Sequence, residues 1–154
     1  GLYGEVRRCA TAIGCIHLSA MDIDRRRAGG ENLNVIEFVT MMECLHMLRR
    51  PTTADANCWE HVFSTVIMDS IQKNSDVMRD RLRKLLPKEV ENVHAFIKAD
   101  DLFPIVSAAS IIAKVERDNH MQQLSSHLGL KLGSGYPSDP TTRSFLRQYK
   151  ANNH

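Results

Sequence analysis

Apolar residues recur in two patterns along the chain, which predict that strands and helices alternate. Short runs rich in β-branched residues predict three buried strands, at 11–18, 61–69 and 92–101. Apolar positions three and four apart predict helices at 34–50, 75–86, 104–128 and 141–149, with a turn or short helix at 21–27. Asn34 with Glu37 approximates a capping box for the first of these helices, and Asp139 before Pro140 suits the start of the last.

Alternating strands and helices are typical of an α/β fold with at least some parallel strands. In such folds, ligands bind beyond the carboxyl ends of the strands. The second predicted strand ends at Asp69, and the third ends at Asp100 and Asp101. We therefore expect Asp69 and Asp100 to lie near each other at one edge of the sheet.

Two converging aspartates suit a divalent cation, because their mutual repulsion is otherwise unfavourable. Mg²⁺ prefers hard oxygen ligands, binds through one or two carboxylates, and acts in pairs in phosphoryl transfer. The pattern also allows a structural interpretation, in which Asp69 caps the following turn and Asp100 or Asp101 caps the helix that begins near Pro104. Both interpretations stay open at the level of the pattern.

Composition limits the class of protein, but it does not indicate a catalytic or binding site. A balance of 20 Lys and Arg against 18 Asp and Glu leaves a net charge of +2, so any nucleic-acid binding depends on where the cations are placed. The sequence contains neither an apolar run of membrane-spanning length nor an apolar signal core at its start, so we expect an intracellular protein without a membrane partner. Cys58 and His61 have the spacing of half a zinc site, and without a second half we expect no zinc.

Two long blocks of the sequence resemble a known family. KADDLFPIVSAASIIAKVERD, at 98–118, and GSGYPSDP, at 133–140, have the order and spacing of the type 2 ribonuclease H family in its archaeal and eukaryotic form. The resemblance extends upstream through VFSTVIMDS, at 62–70, to the helix after Asn34. It implies a ribonuclease H-like fold, in which three layers, α/β/α, surround a mixed sheet that is followed by a C-terminal helical element.

The resemblance also implies an activity and a site. The family hydrolyses the RNA strand of RNA/DNA hybrids and incises duplex DNA 5′ of embedded ribonucleotides, with Mg²⁺ or Mn²⁺ as cofactor. At the matching positions, Asp69 and Asp100 would be the third and fourth carboxylates of the catalytic metal site. Tyr136 would pack on the sugar at the junction of RNA and DNA, where a flat ring needs no base identity.

Three basic residues near these motifs are candidates for phosphate contacts. Lys98, Lys114 and Arg117 could position a duplex through its backbone without reading its sequence. The structural alternative for Arg117 is a salt bridge to Asp118 or Glu116. The eukaryotic members further imply accessory subunits, and they favour the nucleus over the mitochondrion.

The sequence departs from the family at the first two carboxylates. The family draws them from a G-x-D-E-A-G-R-G segment, which this sequence lacks, and the pair Gly4-Glu5 does not replace it. We therefore expect a partial catalytic domain at 1–135, with an incomplete sheet, and a junction-contacting loop with a C-terminal helix at 136–154. Exposed sheet edges would need a partner, so we hypothesise that a second chain supplies the amino-terminal part. The alternative is a catalytically inactive relative that acts as a binding or scaffold subunit of an RNA-protein assembly.

Overall fold

The computed structural model describes residues 1–48 and 63–152. Within these ranges the elements are α1 (Leu2–Cys9), α2 (Ala20–Ala28), α3 (Leu33–Met47), β1 (Thr65–Asp69), α4 (Ser75–Leu85), β2 (Asn92–Phe96), α5 (Ala99–Leu102), α6 (Pro104–Leu128) and α7 (Pro140–Asn152). Packing divides the chain into two compact units, with the boundary between Ser110 and Ile111, inside α6. The functional division expected after residue 135 stays a prediction.

The sheet of the first unit is formed by β1 and β2, which pair in parallel from Thr65 with Asn92 to Asp69 with Phe96. Buried and half-buried residues alternate along both strands, because successive side chains of a strand point to opposite faces. The buried face packs with α3 and α4 in a core that contains Phe38, Met42, Val66, Met68, Met78, Leu82, Val93 and Ala95. The predicted α/β class is confirmed, and the core lies on one face of the sheet.

The predicted first strand, at 11–18, is wrong. This segment connects α1 to α2 without regular structure, and in the described part of the chain β1 and β2 pair only with each other. A strand needs a neighbour for its backbone N–H and C=O groups, and this segment packs against a helix instead. A Cβ atom added to Gly14 would lie 3.3 Å from the carbonyl oxygen of Cys44 in α3. The apolar run is therefore a packing surface for α3.

The start of α3 also differs from the prediction. The Oδ1 atom of Asn32 accepts a hydrogen bond of 3.0 Å from the N–H of Val35, so Asn32 is the N-cap. The capping box of Asn34 and Glu37 is wrong, because Asn34 already lies inside the helix. Glu37 is consequently not needed at the helix start.

The other predicted elements are confirmed with changed bounds. Helices α4, α6 and α7 lie where apolar spacing predicts them, and α2 is the expected short helix. β2 ends at Phe96, so the prediction that Asp100 stands at a strand end is wrong. The strand stops because Ile97 and Lys98 form a turn, with Lys98 in the left-handed region at φ 55°.

Some predictions fall elsewhere in the chain. The start of the second predicted strand, the end predicted for the first helix and the pair Cys58 and His61 lie outside the described residues. In the ranges that are described, no helix combines the length and apolar character that crossing a membrane requires.

Candidate functional site

Asp69 lies at the carboxyl end of β1 and holds the start of α5. Its Oδ1 atom accepts a hydrogen bond of 3.1 Å from the backbone N–H of Ala99, the first residue of that helix. The adjacent N–H of Ser70 donates to the carbonyl oxygen of Phe96 at 2.8 Å, which extends the pairing of the two strands. The Asp69 carboxylate is thus fixed at the point where β1, β2 and α5 meet.

Asp100 follows directly after the residue that Asp69 contacts. Ala99 is completely buried, Asp100 is half-buried and Asp101 is exposed. Because one hydrogen bond joins the side chain of Asp69 to Ala99, the backbone of Asp100 lies close to the carboxyl end of β1, while the convergence of the two carboxylates on one cation stays a prediction. The structural interpretation holds in part, since Asp69 does accept a helix amide, although the amide belongs to α5 and not to the turn after β1.

Glu37 is a carboxyl group near this edge that the sequence reasoning missed. Although the Glu37 side chain is exposed, partial loss of solvent around the carboxyl group raises its pKa, and the negative charge of Asp69 raises the pKa further. The second cause places Glu37, on α3, within the electrostatic field of Asp69. The spacing of Glu37 from Asn34 suggested a helix cap, so the sequence did not indicate that Glu37 lies near Asp69. That position depends on how α3 packs against the sheet.

The donors at this edge fit a hard divalent cation, but they are incomplete. Carboxylate oxygens are the ligands that Mg²⁺ and Mn²⁺ prefer. Across the described ranges, no group of three His, Cys, Asp or Glu side chains is arranged to hold a metal ion. Asp69 and Asp100 could therefore provide part of a metal site, and other ligands would have to complete it.

Lys98 occupies an unusual backbone conformation beside these aspartates. It is the one residue other than glycine with a positive φ in the described chain. The side chain is exposed. Its ammonium group is positioned in the first unit, and its expected contact with a phosphate stays a prediction.

The second unit contains an open cavity of about 570 Å³ where three of the predicted nucleic-acid contacts meet. The residues that line it include Lys114, Arg117, Met121, Ser126, Ser134 and Tyr136. The guanidinium carbon of Arg117 lies 3.7 Å from the centre of the Tyr136 ring, and Tyr136 remains 50% exposed. Arg117 also pairs with Asp118, the structural alternative expected from the sequence.

Arg117 contacts both Asp118 and the ring of Tyr136, and these two contacts change the interpretation of its role. Its hydrogen bonds to Asp118 are the main cause that raises the pKa of the guanidinium, and the same group covers the ring of Tyr136. An arginine over an aromatic face is held by cation–π attraction. In this structure Arg117 supports the tyrosine, while its contact with a phosphate stays a prediction.

Comparison with known proteins gives a consistent result. The family model for ribonuclease HII matches residues 8–154. Ribonuclease HII of Methanocella arvoryzae is 39% identical over 132 residues, which are 86% of this chain and 53% of that protein. The chain spans little more than half the length of the curated relatives that match it first.

Two solved structures share the fold. Ribonuclease H2 from Pyrococcus horikoshii matches with a TM-score of 0.76 and 27% identity, over 99% of this chain and 65% of the other. Ribonuclease HII from Archaeoglobus fulgidus, solved in complex with PCNA, matches with a TM-score of 0.70 and 30% identity, over 89% of this chain and 59% of the other. Since the family model covers nearly the whole sequence, the chain belongs to the ribonuclease HII family.

Proposed function

We propose that this chain provides the carboxyl-terminal part of a metal-dependent endoribonuclease. The enzyme would hydrolyse the RNA strand of RNA/DNA hybrids and incise duplex DNA 5′ of embedded ribonucleotides. The observation that carries this proposal is the junction of β1 and α5, where the carboxylate of Asp69 is bound to the amide beside Asp100. Membership of the ribonuclease HII family supports the same activity.

At this junction the chain's own residues would hold and orient the site. The bond to Ala99 fixes one oxygen of Asp69, so the second oxygen would bind the cation, and Asp100 would add a carboxylate from the start of α5. Mg²⁺ or Mn²⁺, when bound, would activate the attacking water and stabilise the leaving oxygen. Lys98, on the turn before α5, would contact a phosphate.

The remaining carboxylates of the site would come from a segment that this sequence does not include. Two observations support this part of the proposal. The described residues contain no group of three potential metal ligands, and the chain covers 53% of the relative from Methanocella arvoryzae. A site with only half of its acidic ligands would bind the cation weakly, so activity would require the missing segment.

The second unit would contact the nucleic acid. Tyr136 presents a half-exposed ring that can pack on the sugar at a junction of RNA and DNA, and Lys114 lines the same cavity. Stacking on a ring tolerates any base, and phosphate contacts position a duplex without reading it. This combination suits an enzyme that recognises the kind of sugar and not the sequence.

We also propose accessory partners and a location. The complex of the Archaeoglobus fulgidus relative with PCNA supports PCNA as such a partner. The proposed location is intracellular, the nucleus before the mitochondrion, and it rests on the proposed DNA-containing substrates alone.

The proposal is tested with a labelled DNA duplex that contains one ribonucleotide. The chain, supplied with the amino-terminal segment of a family member and with Mg²⁺, is expected to cut 5′ of the ribonucleotide and leave a 3′-hydroxyl and a 5′-phosphate. Asp100→Asn should lower the cleavage rate by at least about a hundredfold, the scale on which losing a group that stabilises transition-state charge acts. Asp101→Asn, at an exposed neighbour, is the matched control and should cut like the wild type. If the wild type binds the duplex and does not cleave it, the result would instead support the alternative, a catalytically inactive binding subunit.

A further inference from the structure

The loop that carries Tyr136 is attached to the start of α7 by one buried hydroxyl. Thr142 is the one buried polar side chain in the described part of the protein. Its hydroxyl donates to the carbonyl oxygen of Leu132 at 2.9 Å and accepts from the N–H of Gly135 at 2.9 Å. These two bonds hold the chain on both sides of Ser134. They also provide hydrogen-bond partners for the Thr142 hydroxyl, which would be unfavourable to bury without them.

Asp139 makes a second attachment between the same loop and the same helix. Its Oδ1 atom accepts from the N–H of Thr141 at 2.9 Å, as the N-cap of α7 should. Its Oδ2 atom accepts from the N–H of Ser134, and its own N–H donates to the carbonyl oxygen of Tyr136 at 3.0 Å. Capping the helix requires only the first of these bonds, so the other two serve the loop.

Glycine backbone allows the loop to pass this close to the helix. Gly133 and Gly135 have φ values of 75° and 80°, a region that residues with side chains rarely adopt. A Cβ atom added to Gly133 would lie 2.7 Å from the backbone nitrogen of Thr142 and would clash. The path of the loop is therefore determined by its contacts with Thr142 and Asp139.

We propose that Thr142 and Asp139 are positioning residues for Tyr136, which hold its backbone so that the ring is ready to meet a sugar. The inference rests on the proposed function, since it assumes that Tyr136 contacts nucleic acid. Preorganising a loop raises affinity, because less conformational entropy is lost on binding. Arg117 supports the ring from one side, and the two positioning residues fix the backbone from which the ring projects.

The test compares Thr142→Val, which removes the hydroxyl and keeps the shape, with Thr142→Ser, which keeps the hydroxyl. Thr141→Val is the matched control, because Thr141 contacts Asp139 through its backbone N–H. Binding is measured to a duplex with an RNA–DNA junction and to an all-DNA duplex of the same sequence. Thr142→Val should weaken binding to the junction duplex about tenfold, on the scale of losing one stacking contact. Thr142→Ser and Thr141→Val should bind it within about twofold of the wild type.

A double-mutant cycle separates positioning from general destabilisation. If Thr142 acts through Tyr136, adding Thr142→Val to Tyr136→Ala should weaken binding to the junction duplex no further. Asp139→Asn, at a half-buried position outside the core, is the second variant if Thr142→Val does not fold, and it should show the same selective loss. Hydrogen exchange should also show faster exchange of the Gly135 amide in Thr142→Val.

Two different results would overturn the inference. Additive losses in the double variant, or equal losses on both duplexes, would show that Thr142 only stabilises the fold. These results leave the proposed function intact, provided that the wild type prefers the junction duplex. A wild type without that preference would contradict the proposed function itself, and the positioning role would fall with it.

Discussion

Lys98 shows at the scale of one residue how the backbone beside the aspartates is formed. A left-handed conformation costs a residue with a side chain about 1–2 kcal/mol. The turn at Ile97 and Lys98 lets α5 start where the N–H of Ala99 reaches Asp69. Unfavourable backbone conformations persist where the surroundings fix them, often at sites that bind ligands. In this protein the residue with the unfavourable conformation, Lys98, lies beside both aspartates.

Replacing Lys98 with glycine should stabilise the fold. Glycine adopts a positive φ without a steric penalty, so Lys98→Gly should raise the free energy of unfolding by up to about 1 kcal/mol. Lys98→Ala keeps the penalty and is the control. Both variants lose the ammonium group, so both should weaken duplex binding equally. Denaturant titration checks the stabilities, and a glycine variant less stable than the alanine variant would contradict the explanation.

Asp139 should make stability depend on pH in the acidic range. Hydrogen bonds from Ser134 and Thr141 lower the pKa of Asp139 from 3.8 to about 2. A lowered pKa means that the folded state favours the ionised carboxylate, so this stabilisation is complete above about pH 4 and is lost as the pH falls towards 2. Asp139→Asn should therefore melt below the wild type at pH 7, and the two melting temperatures should converge near pH 2. A gap that stays constant with pH would exclude ionisation as its cause.

The start of α3 is the feature at the scale of elements that the sequence pattern placed wrongly. The spacing of Asn34 and Glu37 predicted the cap two residues too late, at Asn34 instead of Asn32. Only the geometry shows that Asn32 accepts the Val35 N–H. The choice between these two positions depends on where the apolar face of α3 meets the sheet, which local spacing does not contain.

Alanine substitutions distinguish the two caps. Asn32→Ala should lower the free energy of unfolding by about 0.5–2 kcal/mol, the range for losing an N-cap. Asn34→Ala, inside the helix and exposed, should change it by no more than about 0.5 kcal/mol. Thermal or denaturant unfolding of both variants makes the measurement. If Asn34→Ala proves the more damaging substitution, the cap lies where the sequence pattern put it.

Two of the three predicted strands are present and one is not, because a strand forms only where a neighbouring strand pairs with it. β1 has a continuous apolar run, β2 has alternating apolar positions, and the two strands pair with each other, so their patterns predicted both strands apart from their bounds. Residues 11–18 have a similar apolar content and no strand partner in the described ranges, and they pack on α3. A single segment cannot reveal whether a partner is present, and this limit explains the wrong prediction.

For the molecule as a whole, the sequence predicted the position of Asp69 in the sheet more accurately than that of Asp100. Asp69 ends β1 as predicted, and the carboxyl ends of parallel strands lie together. Asp100 was placed at a strand end and lies in α5, because the turn at Lys98 depends on a conformation that lysine rarely adopts. Glu37 was missed, since its approach to Asp69 arises only from the packing of α3.

The proposed function depends on the set of carboxylates at this edge of the sheet, which is incomplete among the residues that the structure describes. Two aspartates alone would hold a divalent cation weakly, so we expect the described chain to bind Mn²⁺ with low affinity. The Mn²⁺ that does bind should still lie at Asp69 and Asp100. Paramagnetic Mn²⁺ broadens the NMR signals of nearby backbone amides, and this effect reports weak binding.

Titrating the chain with Mn²⁺ while following its backbone amide signals therefore tests most directly whether Asp69 and Asp100 share a cation. In the wild type and in the control Asp101→Asn, the amide signals of Ser70 and Ala99 should broaden first. In Asp69→Asn or Asp100→Asn the same broadening should require at least about tenfold more Mn²⁺. If the signals of both variants broaden at the same Mn²⁺ concentration as those of the wild type, or if the first broadening occurs elsewhere in the chain, these two aspartates do not form the metal site.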